Sequence, residues 1–375
     1  MTGFSVDEDA LANISANLRR QADYCQEAKS FLNKHADYEH SEGIINALNG
    51  ASESVHENVD GWFKTATVEC FTTAADRIDD ALAYYRATDE SSAADFDAAI
   101  DLDGSGDELV LAPGSVSNDF TDKVVPLDAL REPGDYRSHP EYEYSPTALD
   151  VFSTAGIARS TVHHATSILA SLGIGNGPHD PYESWVRPIT GDWGQVKANS
   201  EVMTSLGSFT LQIADNIHAV RVQTAEVWTG NAAGLFDEYM SRLESAFTTS
   251  EPTFNALAKA FDQSAEYMVE TRKKAVFTFE LIIDTAFAVL AAAKVAAVTL
   301  LTPVGLVSAG ALTALGAVLA KRITSLITLY QASQLEIDTN ASFIESLGRV
   351  GGGNESLPVL PLPSDAGSAM THLPE

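Results

Sequence analysis

Positive charge is what this sequence has least of. Its 23 Lys and Arg stand against 52 Asp and Glu, a formal net charge of −29. Binding a phosphate backbone requires clustered cations, and the longest basic run is Arg272-Lys273-Lys274, so no nucleic-acid partner is expected. The acidity also fits a plain adaptation for solubility or salt. Cysteine is nearly absent: two residues cannot build a disulfide framework or a Cys-rich zinc site. A P-loop, a G-x-S-x-G elbow, an H-E-x-x-H pair and a Rossmann glycine run are all missing, and strand-like alternation is scarce. No enzyme, cofactor or metal is therefore expected. His163-His164 and His179-Asp180 read as surface residues, because adjacent histidines point to different sides of a helix and no ligand recurs at metal spacing. Met1 to Asp9 has neither a basic n-region nor an apolar h-region. The expectation is a chain that stays in the cytosol or leaves it by a route that reads something else.

What is present is helical periodicity. With 45% apolar and 20% charged residues the chain is globular, and 375 residues suffice for two or three units. The fold class expected is all-α: two long antiparallel helical hairpins plus an apolar helical hairpin, joined by an acidic irregular linker. Residues 1–90 form the first hairpin. Ser5 and Glu8 read as a capping box, followed by a stripe of Leu11, Ile14, Leu18, Ala22, Cys25, Ala28 and Leu32. A turn is expected at Asn46–Gly50. The second stripe runs through Val55, Val59, Trp62 or Phe63, Ala66, Cys70, Ala74, Ile78, Leu82 and Tyr85. Folding back near residue 47 sets Cys25 opposite Cys70, either bridged after export or as two buried free thiols.

Residues 91–150 read as a linker. From 89 to 150 there are sixteen acidic and three basic residues with five prolines, and no helical period survives. Asp101, Asp103, Ser105 and Gly106 match the start of an EF-hand loop, but position 12 is Ala112 and no helix pair flanks it; a solvated acidic segment is the better reading.

Residues 151–270 form the second hairpin. Gly191-Asp192-Trp193 leads into a stripe of Val202, Leu206, Phe209, Ile213, Ile217, Val220 and Val227, interrupted by Thr224. The pattern breaks at Trp228-Thr-Gly230-Asn-Ala-Ala-Gly234 and restarts at Phe236, Tyr239 or Met240, Leu243 and Phe247, then Phe254, Leu257 and Phe261.

Residues 271–347 form an apolar hairpin and a following helix. From Val295 to Ala320 no charge occurs, long enough to cross a bilayer, yet Thr302-Pro303-Val304-Gly305 divides the run into two helices. Basic residues stand at both ends, and Gly305/Ala309, Gly310/Ala314 and Gly316/Ala320 permit close helix contact in lipid or in a soluble bundle. Residues 348–375, rich in Gly, Pro and Ser, read as a disordered tail.

The helix, Trp-Thr-Gly turn and helix over about residues 185–270 resemble the WXG family of helical-hairpin proteins exported by the type VII (ESX) secretion systems of actinobacteria and relatives. Residues 1–98 resemble the EspC-like group of that system's substrates, which lack a strict W-x-G; Gly61-Trp62-Phe63 departs from it in the same way. Tyr85 and Asp89 match the Y-x-x-x-[D/E] export signal, and at i, i+4 they share one helix face. Tyr267, followed by Thr271, supplies no second copy. The resemblance implies a non-enzymatic secreted or envelope-associated protein, cytoplasmic before export. Its partners would be an ESX ATPase or chaperone, and a WXG-type partner or a second copy. It also implies that signal and W-x-G turn are displayed together on a four-helix bundle. Here both halves would dock in cis, across a linker whose r.m.s. reach is roughly 40 Å. The alternative is a membrane-inserting effector or secretion-channel component that uses residues 280–325.

Overall fold

The computed structural model describes residues 5–36, 43–88, 120–136, 138–139, 142, 156–171, 189, 191–299, 303–353 and 355–363. They are predominantly helical, so the chain is all-α. In order come β1 (Ser5–Val6), α1 (Glu8–His35), α2 (Asn46–Thr65), a π-helical turn (Ala66–Thr72) and α3 (Thr73–Ala87). A 3-10 turn (Pro126–Ala129), α4 (Gly156–Ser171), α5 (Trp193–Val227), β2 (Trp228–Thr229), α6 (Asn231–Thr299) and α7 (Pro303–Gly348) follow.

The apolar stripes become the core. Leu11, Ile14, Leu18, Cys25 and Leu32 of α1 face Val55, Val59, Phe63, Cys70, Ala74 and Ile78, all essentially inaccessible to solvent. The pairing is antiparallel: Glu8 meets Arg86, Ser15 Oγ donates to the Ala75 carbonyl, and Asn33 donates to Asp60. Seven residues of π-helix let Ala66, Cys70, Phe71 and Ala74 all turn inward. The hydroxyls of Thr72 and Thr73 donate five residues back, to the carbonyls of Thr67 and Val68.

Two local expectations give way here. The cap of α1 is Asp7, whose carboxylate accepts from the amides of Asp9 and Ala10, while Ser5 lies in β1 and Glu8 pairs with Arg86. Asn46–Gly50 is the first turn of α2 and not the loop: Leu48, Ala51 and Ser52 bury there, and Gly50 faces open space. Burial of one face offsets the glycine's poor helix propensity, about 1 kcal/mol.

The second hairpin folds the same way. Lys197 pairs with Asp262 at one end and Arg221 with Asp237 at the other, at 2.8 Å, so α5 and the first half of α6 run antiparallel. Pro252 lies inside α6 without ending it, and the helix continues unbroken past residue 270. The boundary between second hairpin and apolar hairpin therefore falls inside one 69-residue helix. Its far half pairs with α7: Thr271 meets Ser333, and Arg322 donates to the Leu281 carbonyl and the Thr285 hydroxyl.

Both hairpins share a single core. Trp62, Phe63 and Phe71 interlock with Phe209, Phe247 and Phe254 at centroid distances of 5.1 to 6.3 Å, and the Tyr239 hydroxyl donates to the Cys70 carbonyl. Burying each such ring contributes about 1.5–3 kcal/mol. A second, smaller core joins Val162 and Ala165 of α4 to Ala275, Ile282, Leu319 and Leu326 of the α6–α7 arm.

Two segments expected to be a solvated linker and a disordered tail contain packed stretches. Within the linker, Phe120 is buried and Asp122 accepts hydrogen bonds from Asn17, Arg20, Gln21 and Tyr24 of α1. Asn216 of α5 bonds both backbone groups of Val124, so residues 120–136 strap α1 to α5. In the tail, Leu357 and Leu360 are buried, and Trp62 and Cys70 donate to the carbonyls of Pro358 and Pro361. The acidic stretch 89–119, with its EF-hand-like residues, His179-Asp180 and the tail beyond 363 lie outside the described residues.

Candidate functional site

The features singled out by sequence converge at one end of the bundle. Leaving α5, the chain turns extended at Trp228, and Gly230 takes φ +123°, a backbone conformation that a side chain would strain. The Gly234 amide bonds back to the Gly230 carbonyl, starting α6. Trp228 is 3% exposed and packs on Phe236, 5.8 Å between centroids, and its indole N–H has no hydrogen-bond partner among the described residues.

The elbow is held from the other hairpin. β1 pairs antiparallel with β2, Ser5 opposite Thr229 and Val6 opposite Trp228. The Ser5 and Thr229 hydroxyls bond at 2.9 Å, and the Asp7 amide donates to the Val227 carbonyl at 3.0 Å. One residue on, Glu8 pairs with Arg86 at 3.1 Å, next to Tyr85. The end of α3 and the W-T-G turn are thus connected through the start of α1. Nothing in the sequence of β1 announces this pairing, because its partner lies 224 residues away.

Tyr85 itself is core. It is 7% exposed, with Tyr84 edge-on at 6.1 Å, while Arg86 and Ala87 are exposed. A displayed tyrosine was the expectation; the stripe that ends α3 buries it instead. Asp89 lies outside the described residues. Trp62 is no turn residue: it sits inside α2, 2% exposed, in the aromatic cluster. Gly191-Asp192-Trp193 opens α5, with Asp192 accepting from the Gln195 amide and Gly191, at φ +151°, pressed against Ile45.

No disulfide joins Cys25 and Cys70; both are buried, and burial pushes the Cys25 thiol well above its ordinary range. Among the described residues no group of three His, Cys, Asp or Glu is arranged to hold a metal, and His163 and His164 are exposed on α4.

Polar residues that the sequence did not single out cluster in two places. Arg221, with an 8% exposed side chain, bridges Asp237 and Glu244 beneath the elbow, a charge-assisted clamp between α5 and α6. At mid-bundle, the Asp122 hydrogen bond raises the Arg20 pKa, and burial and then Asp122 raise that of Tyr24. These groups hold helices together. A concavity of about 520 Å³ lies elsewhere, along α6 between Thr249 and Gln263 with Phe343 and Glu355.

No protein-family model, curated protein or solved structure matches this chain.

Proposed function

We propose that this chain is a non-enzymatic substrate of a type VII secretion system. It is exported folded and acts by protein–protein contact at the cell envelope or outside the cell. The observation that supports this reading is the join between β1 and β2: the W-T-G turn of one helical hairpin is clasped by the strand that precedes the other. In this reading the chain carries its own WXG-type partner, with α5 and α6 taking that role in cis beside α1 to α3. An ESX ATPase or chaperone recognises the exposed edge of α3 around Arg86 together with Asp89, which follows in sequence. Tyr85 acts as a positioning residue that anchors that edge to the core, which fits its burial.

The test is export from a host with an active type VII system. Asp89→Ala is expected to lower the secreted fraction at least tenfold while cellular level and melting temperature stay unchanged. Unaltered secretion of that variant would remove the signal and overturn the reading. Tyr85→Phe, which keeps the buried ring, serves as the second variant.

A further inference from the structure

The arm formed by the far half of α6 and the first half of α7 is unusual in both charge and exposure. Between residues 271 and 330 there are six basic residues and two acidic ones, in a chain whose net charge is −29. The arm is thus the cationic part of an otherwise strongly anionic protein. A core helix with this composition would be mostly buried, yet only 33% of the most apolar stretch in α6 and 28% of that in α7 is buried. Phe277, Phe287, Val295, Val318 and Ile327 are 62%, 48%, 50%, 44% and 38% exposed. An apolar surface of this kind calls for an occupant.

The vertical order of charges says which. Thr271–Ser333 and Leu281–Arg322 fix the register of the two legs, so Lys321 and Arg322 stand level with Glu280 and Asp284. From that level to the end of α6 at Thr299 is about 19 residues, or roughly 28 Å of helix, close to the thickness of a bilayer's hydrocarbon core, about 30 Å. Over that height the single charge on the two legs is Lys294, on a stem long enough to snorkel. Further down, Arg272, Lys273 and Lys274 add a second cationic tier.

We infer that the α6–α7 arm is a membrane-docking hairpin whose occupant is a bilayer bearing anionic headgroups. The uncharged tip enters the hydrocarbon, and Lys321, Arg322 and the 272–274 cluster meet the headgroups. The body's negative charge opposes close approach of the rest of the protein, so the arm is the part that touches lipid. This inference stands apart from the export reading: it concerns the purified protein and does not depend on how the chain leaves the cell.

The experiment is vesicle flotation of the full-length protein at low ionic strength, with phosphatidylcholine alone and with one-third phosphatidylglycerol. At least tenfold more protein is expected to float with the anionic vesicles. The double variant Val295→Asp/Val318→Asp, placed at exposed positions so that melting is unchanged, is expected to lose at least tenfold of that binding. Leu335→Asp, at a 70% exposed position outside the arm, is expected to keep it. Equal flotation with both vesicles, full flotation of the double variant, or a stable dimer that does not float would each overturn the assignment; the last would give the apolar face to a second copy.

Discussion

Trp62 donates its indole N–H to the carbonyl of Pro358 at 2.9 Å, joining the last turn of α2 to a segment 296 residues further along the chain. Cys70 repeats the contact one step on, with Sγ 3.3 Å from the Pro361 carbonyl, and Thr253 of α6 reaches the carbonyls of Glu355 and Ser356. Leu357 and Leu360 fill the space between. The Pro-rich segment thereby covers the seam where the two hairpins meet.

Trp62→Phe removes the donor and leaves the Pro358 carbonyl without it. The expected cost is about 1–3 kcal/mol. Denaturant unfolding reads the loss, and hydrogen exchange at Leu357 and Leu360 should rise before that of α1. Unchanged exchange there would show that the tail is held by its leucines alone.

Asp122→Ala should release the strap. It deletes the acceptor shared by Asn17, Arg20, Gln21 and Tyr24, and Asn17 and Gln21 are buried. Because Arg20 is 39% exposed and can turn to water, the penalty is below that of a fully buried pair, about 2–3 kcal/mol. Limited proteolysis between residues 120 and 136 should accelerate along with the drop in melting temperature.

Gly230→Ala should destabilise by roughly 1–3 kcal/mol, since φ +123° is unfavourable for any residue with a Cβ. Gly50→Ala, in a helix with open space beside it, should instead stabilise, by about 0.5–1 kcal/mol. Opposite shifts of the two melting temperatures are the expected result.

Tyr136 donates to Glu201, and that bond, with burial second, pushes its pKa up to about 12. The unfolded chain releases this proton near pH 10. The folded state keeps it longer, so the contribution to stability is complete below pH 10 and is lost as pH rises toward 12. Melting curves of the native chain and of Tyr136→Phe should accordingly run parallel up to pH 10 and converge above it.

How far the sequence carried is visible in particular residues. Every member of the first two stripes, from Leu11 to Tyr85, is buried, because helix period and burial are local properties that one chain displays directly. The turn before α5's partner was legible at Trp228 and Gly230 for the same reason. The long-range contacts were not. Ser5 looked like a cap because its partner Thr229 is remote in sequence, and Phe120 and Asp122 were hidden in acidic, Pro-rich surroundings that normally mean solvated chain. Tyr85 satisfied two patterns at once, a core stripe and an export tag, and only three-dimensional packing shows that its ring is inside. The continuity of α6 through Pro252 likewise depends on tertiary support that propensity does not describe.

The most direct measurement is the amount of full-length protein recovered in culture medium from two strains that differ only in whether their type VII ATPase can hydrolyse ATP. The account predicts accumulation outside cells with the active ATPase and at least a tenfold fall without it, at equal cytoplasmic levels. Equal extracellular amounts in both strains, or none in either, would contradict it.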